Sequence, residues 1–162
     1  MILLISTCKE KLHKLEFVKP IQDIVKKDFK TIHYSKLTQK ELEKSNKIII
    51  CGTSLKDNQF LKDIKKFSWI KSYNKPILGI CAGSHLIGLI FGYKLKRKTE
   101  IGLKRINIKK EFLGIKGERQ VYHLHNFQVL PELWKHKSKP IYATLFHPEV
   151  RNKELIVNFC RD

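Results

Sequence analysis

Three short apolar runs, Ile2–Ser6, Lys47–Cys51 and Pro76–Ile80, set the tightest limit on the fold. Each has the profile of a strand buried on both faces. Between them the periodicity changes. Leu12, Leu15, Val18, Ile21 and Val25 recur every three or four residues with lysines between them, which predicts an amphipathic helix. Pro20 should kink or restart it. Phe29–His33 reads as a second strand, and Thr38 to Glu41 as a capping box that opens a short helix. Phe60, Leu61, Ile64, Phe67 and Ile70 mark a further helix, and Ala82–Phe91 another. Strands alternating with helices predict an α/β fold, an open and mostly parallel sheet with helices on both faces. Beyond Gly92 the pattern shifts. Tyr93–Arg97, Leu103–Lys110, Arg119–Leu124 and Pro140–Phe146 look like strands separated by Gly102, Gly114 and Gly117, and Lys153–Phe159 like a closing helix. A single domain over residues 1–162 is expected.

A chain of 162 residues can bury about two-thirds of its unfolded surface without a disulfide or structural metal. No apolar run reaches the roughly 18 residues of a membrane span, and Met1–Ile5 is too short for a signal-peptide core. No membrane partner is therefore expected. Cys8, Cys51, Cys81 and Cys160 are widely spaced, with no Cys/His cluster, so no metal site is expected and a reduced, cytoplasmic setting fits best. Lys and Arg number 33 against 15 acids, a net charge of +18. The lysines are spread along the whole chain, without a basic block or an aromatic-interleaved RNA motif. A solvated surface facing an acidic partner is the preferred reading, and nucleic-acid contact the lesser one.

In open parallel sheets, ligands bind beyond the carboxyl ends of the strands. Three such ends carry unusual residues. Gly79-Ile-Cys81-Ala-Gly83 has the form of a nucleophile elbow, with Cys in place of Ser, between a strand and a helix. The helix start should favour a thiolate and let the Ala82 N–H donate to an oxyanion. Taken alone, this motif is more often a buried structural cysteine flanked by packing glycines. Leu145 to Val150 contains His147-Pro-Glu149. In extended chain, residues two apart face the same way, about 6.5 Å along the strand. Pro148 should hold the chain extended, so that Glu149 orients His147 and leaves its other nitrogen to take a thiol proton. Alone, His-Pro-Glu would be a surface turn. Ile48 to Leu55 ends in Gly52-Thr53-Ser54, whose N–H groups could complete an oxyanion hole.

Taken together, these motifs resemble the class I, or triad, glutamine amidotransferases. The residues that carry the likeness are Pro76-Ile-Leu-Gly-Ile-Cys81-Ala-Gly83 and Phe146-His-Pro-Glu-Val150. The small archaeal-type glutaminase subunits of GMP synthetase look most similar. The resemblance implies a flavodoxin-like fold and hydrolysis of the glutamine side-chain amide. It makes Cys81 the nucleophile, His147 the base and Glu149 its orienter. Ala82, Gly52 and Thr53 become the oxyanion hole, and Gly83, His85, His125 and Asn126 the substrate contacts. It further implies no cofactor on this subunit. The ammonia would go to a synthetase subunit, such as the ATP-pyrophosphatase of GMP synthetase.

The chain departs from the family pattern at several points. Ser84-His85 stands where His-Gln or Met-Gln is usual. Tyr122-His-Leu-His-Asn-Phe127 replaces a His-Gly-Asp-like loop and lacks its acid. Cys51-Gly-Thr-Ser54 replaces Gly-Gly-Pro. Another acceptor therefore stays open, the pyridoxal phosphate synthase system included. So does a non-catalytic or altered-specificity regulatory or binding protein on the same fold. His13, His33 and His136 read as ordinary exposed histidines, Trp69 and Trp134 as packing residues, and Cys8 and Cys51 as small buried hydrophobes.

Overall fold

The computed structural model describes residues 1–26 and 28–161. Its strands are Ile2–Ser6 (β1), Phe29–His33 (β2), Lys47–Ile50 (β3), Ile77–Ile80 (β4), Lys96–Phe112 (β5), Ile115–Gln128 (β6), Leu133–Lys135 (β7) and Ile141–Thr144 (β8). The α-helices are His13–Phe17 (α1), Lys19–Val25 (α2), Gln39–Lys44 (α3), Gln59–Lys62 (α4), Ala82–Ile90 (α5) and Glu154–Cys160 (α6). The main sheet runs β2-β1-β3-β4-β8-β7, with every pair parallel except β7 against β8. The parallel carboxyl ends therefore share one edge, where β1, β3, β4 and β8 deliver their following loops.

Strands β1, β3 and β4 are buried on both faces because each alternates side chains into two cores. Leu4, Ile49, Leu78 and Ile80 meet Phe17, Ile21, Leu155 and Phe159 from α1, α2 and α6. Leu3, Ile5, Ile48, Ile50 and Ile77 meet Phe60, Phe67, Ile70, Leu86 and Ile87 on the other face. Continuous apolar runs, rather than alternating ones, are what such a sheet demands. Among the described residues, no helix is long and apolar enough to cross a membrane.

Several local expectations are corrected. Pro20 does restart the first helix, at the beginning of α2. The apolar stripe expected there is only half right, however: Leu12 and Leu15 are 66% and 63% exposed, while Phe17, Val18 and Ile21 face the core. The single helix expected through Phe60 to Ile70 is the short α4 followed by a 3₁₀ segment, Ile64–Lys71. Phe67 and Ile70, three apart, suit a three-residue turn. Of the separate strands expected after Gly92, the first three fall in one hairpin, β5 paired antiparallel with β6, while Pro140–Phe146 holds β8 of the main sheet as expected. Gly102 and Gly117 lie inside its strands, and only Lys96 and Arg97 of the Tyr93–Arg97 segment are extended. The turn itself is Leu113-Gly114, both left-handed, the geometry that matches strand twist in a two-residue hairpin. Strand β7 leaves no mark in the sequence, since three residues are too few to show a period.

The helix placement can be checked by urea unfolding. Ile21→Ala should cost about 2–5 kcal/mol, and Leu15→Ala should stay within about 0.5 kcal/mol. Equal losses would mean that the α1–α2 face is turned differently.

Candidate active site

Cys81 sits between β4 and α5 with φ 49° and ψ −98°, a conformation that costs a non-glycine residue of order 1–3 kcal/mol. The cause lies two residues on. A Cβ at Gly83 would stand 2.4 Å from the Ile50 carbonyl oxygen, and one at Gly79 would stand 2.7 Å from the Gly83 carbonyl. The helix thus begins in direct backbone contact with β3 and β4, and the chain must reverse within one residue. Ala82 opens α5, so its N–H has no acceptor within the helix. Gly83 packs against β3 and is not among the residues that line the cleft.

The His147 and Glu149 side chains are each 1% exposed, and His147 Nδ1 donates to Glu149 Oε1 at 2.7 Å. The pairing expected from sequence is present, but its geometry differs: His147 to Val150 form a turn, closed by Val150 N–H on the His147 carbonyl. Burial alone would pull the imidazolium down. Glu149 and then Cys81 outweigh it and hold His147 well above the ordinary range. With Nδ1 committed to the carboxylate, Nε2 is left without a hydrogen bond, and the Cys81 side chain is its polar neighbour. Gly52 lies against this ring. A Cβ there would come within 2.6 Å of His147 Cε1 and 3.5 Å of Cys81 Cβ. Gly52, Cys81 and His147 are therefore in one place, although they come from three different strand ends.

A cleft opens beside the sulfur. Thr53, Ala82, His85, His125 and Asn126 all line it with Cys81, as the sequence grouped them. Burial, then His125 and His147, push the His85 imidazole down to about 3. His85 is thus a neutral ring, and its Nδ1 has no partner. Sequence reasoning missed Asp57, which also lines the cleft and is buried. Its Oδ2 accepts from Lys9 N–H at 3.0 Å, from Thr53 Oγ1 at 2.8 Å and from His13 Nδ1 at 2.7 Å. His13 is therefore half-buried and engaged rather than an ordinary surface residue. Only the four-residue spacing from Thr53 hinted at this anchor of the Gly52–Thr53 turn.

Strand β6 closes the other side. Tyr122 O accepts from His147 N–H at 2.8 Å, and Leu124 O from the Cys81 thiol at 3.6 Å. His123 and His125, two apart on β6, turn the same way, and Glu100 is paired with His125 across the hairpin. These three form a cluster of His and Glu that the sequence reading did not expect. The signal was present in the His-x-His alternation of a strand.

The profile of the family described as glutamine amidotransferase class-I matches residues 20–134, a span that contains Cys81 and His125 and stops before His147. A protein of Pyrococcus abyssi, named as one subunit of a glutamine-hydrolysing GMP synthase, is 39% identical over 103 residues, covering 51% of this chain and 55% of that protein. Its counterpart in Methanocaldococcus jannaschii is 34% identical over 111 residues, covering 53% and 59%. The matches thus span little more than half the length of these curated relatives. Among solved structures, a protein of Thermoplasma acidophilum provisionally described as a GMP synthase subunit superposes with a TM-score of 0.82 at 23% identity, covering 98% of this chain and 91% of that one. A glutamine amidotransferase of Thermotoga maritima gives 0.62 at 18%, covering 92% and 76%. With the fold and the family profile in agreement, the chain belongs to the class-I glutamine amidotransferases.

Proposed function

We propose that the chain is a glutaminase that releases ammonia from the glutamine side chain through a Cys81–His147–Glu149 triad. The observation that carries this reading is the strained Cys81 elbow set beside a buried His147–Glu149 pair at the mouth of a cleft. In the first half-reaction the Cys81 proton is already held on His147 Nε2, and the sulfur attacks the carboxamide carbon. The N–H groups of Ala82 and the Gly52–Thr53 turn receive the developing oxyanion. His147 then returns its proton to the leaving nitrogen, and the C–N bond breaks to give ammonia and a glutamyl thioester. In the second half His147 deprotonates water, which attacks the thioester and releases glutamate. Each role falls to a residue of this chain, so the hydrolysis is proposed to use no organic cofactor.

The relatives are named as one subunit of a glutamine-hydrolysing GMP synthase. We carry this over as a proposal that the ammonia passes to a synthetase partner. The sheet and the hairpin are read as one domain, because β6 supplies backbone acceptors to both Cys81 and His147. Four free cysteines suit a reducing, cytoplasmic setting. One observation favours a second reading. A neutral His85 fills the position where the family usually has glutamine, and this fits altered substrate specificity on the same fold.

One experiment separates the two readings. A glutamine-mimicking diazo-ketone should add once to the intact protein, excess glutamine should block it, and Cys81→Ala should abolish it. An adduct that glutamine does not block would favour the altered-specificity reading, and none at all would refute a working Cys81. In turnover assays His147→Ala should lose on the order of 10⁴–10⁶-fold and Glu149→Gln less, on the order of 10²–10⁴-fold. Equal or reversed losses would sink these roles.

The raised pKa of His147 also sets the sign of a pH effect. A group raised on folding contributes its stability fully below its unfolded value, about 6.5, and loses it as pH climbs through the folded value. The thermal-stability gap between wild type and Glu149→Gln should therefore be widest near neutral or slightly acid pH. It should narrow in alkaline solution. A gap that widens with pH would mean that His147 is neutral in the folded chain.

A further inference from the structure

The Glu100, His123 and His125 cluster has more acceptors than donors. The Lys98 carbonyl can only accept, so His125 Nδ1, 3.0 Å away, must be the donor. His125 Nε2 then carries a lone pair, directed at His123 Nδ1 at 3.0 Å. Glu100 Oε2 lies 3.3 Å from His125 Nε2 and 3.8 Å from His123 Nδ1. On the far side of its ring, His123 Nε2 is 3.3 Å from Glu132 Oε2. A neutral His123 has one proton to set against His125, Glu100 and Glu132. Consistent with that shortage, His123 Nε2, Glu100 Oε2 and Glu132 Oε2 are all buried without a hydrogen-bond partner, and the His123 side chain is 1% exposed.

The geometry points to a zinc site, and we propose that Glu100, His123 and His125 bind one Zn²⁺ through Oε2, Nδ1 and Nε2. Edges of 3.0, 3.3 and 3.8 Å define a triangle whose in-plane centre is about 2.0 Å from each atom, the length of a Zn–N or Zn–O bond, and closing the longest edge by about 0.5 Å lifts the ion into a tetrahedral shell. A tetrahedral shell with such bonds has ligand–ligand edges of about 3.3 Å, whereas the octahedral arrangement of a hard cation would draw them in to roughly 3.0 Å. Neutral imidazoles with one carboxylate are borderline ligands that suit zinc. With Nδ1 on the metal, His123 turns its Nε2–H to Glu132. His125 already gives its Nδ1–H to Lys98 O. Metal-bound histidines have partners of this kind on the distal nitrogen. Three protein ligands leave a fourth position for water or a small ligand.

Two lysines bear on the charge. Lys104 Nζ holds Glu100 Oε1 at 2.8 Å, and Lys98 Nζ stands 3.3 Å from Oε2. Lys98 is 40% exposed and can turn to solvent as the ion enters, while Lys104 keeps the other oxygen and so fixes the carboxylate. The rivals for the place are a second proton on His123 and the Lys98 ammonium itself.

Although His125 also lines the Cys81 cleft, the site can be tested apart from the proposed hydrolysis, because the readout is metal uptake rather than turnover. Tag-free, chelator-stripped chain is titrated with Co²⁺ alone, then with Zn²⁺, alongside the Cys81→Ala variant. One equivalent of Co²⁺ should produce the intense visible bands of four-coordinate cobalt. Zinc should displace them, and Cys81→Ala should retain them without thiolate charge transfer. His123→Ala and Glu100→Gln should lose the bands, each shown to be folded by its metal-free circular dichroism. Glu132→Gln should bind about 10–100-fold more weakly, as expected for loss of a partner behind a ligand. No uptake at submillimolar cobalt would overturn the proposal and leave the place to a proton or Lys98. So would bands that vanish in Cys81→Ala, or a weak six-coordinate spectrum.

Discussion

The site rests on a backbone contact. Helix α5 reaches the sheet so closely that Gly83 touches the Ile50 carbonyl and Gly79 touches Gly83. No side chain can enter that interface, and the chain between the two glycines has room for only one sharp reversal. Cys81 makes it, and takes up a left-handed φ in doing so. The strain, of order 1–3 kcal/mol, is offset by what the helix buries behind it. Leu86 and Ile87 are both fully buried, and each contributes about 1.5–3 kcal/mol on leaving water. The elbow is thus a small cost imposed on one residue by a larger packing gain next to it. The same reversal points the open end of α5 at the sulfur.

The His147–Glu149 pair follows another logic. A buried ion pair is poor evidence for stability, because desolvating two charges takes back most of their attraction. Its consequence here is a bias in charge. Glu149 keeps the imidazole protonated against the pull of burial, and its bond to Nδ1 reserves Nε2 for the sulfur. The turn through Pro148 and the tie from His147 N–H to Tyr122 O hold the ring where Gly52 leaves space for it. An alanine at position 52 would push directly on the imidazole. The oxyanion turn and the base are therefore mutually fitted parts.

How much of this is legible in the sequence depends on the range of the interaction. Strands β1, β3 and β4 can be read because burial on both faces demands unbroken apolar runs. The elbow can be read because its glycines answer a local steric demand. The pairing of Glu149 with His147 is right for a partly wrong reason: the spacing suggests extended chain, and a turn brings the two together instead. Leu12 and Leu15 mislead because they fall on the helical period without meeting anything, and periodicity records spacing, not what lies opposite. The glycines of the hairpin mislead in the reverse sense. A glycine among strand residues reads as a break, yet at Gly102 and Gly117 pairing continues on either side despite their positive φ. Asp57 and the Glu100–His123–His125 cluster leave only faint local signals, for a common reason. Each depends on which segments of chain are brought together, and a single sequence does not encode that locally.

The hairpin is where these threads meet. A two-stranded ribbon that exposes most of β5 has little core of its own and must be held by what it touches. Near its turn, Phe112 and Ile115 pack into the α6 core and Asn158 Nδ2 donates to Leu113 O. At its other end β6 gives the carbonyls of Tyr122 and Leu124 to His147 and Cys81. Alternating with those residues, His123 and His125 carry the polar cluster they share with Glu100. Strand alternation makes this arrangement unavoidable, since the backbone that accepts from the triad carries side chains that must go somewhere. The cross-strand contact of Glu100 with His125 therefore bears on the register of the strand facing Cys81. The order of the hairpin and the geometry around the sulfur meet on this one strand, whose carbonyls accept from both Cys81 and His147.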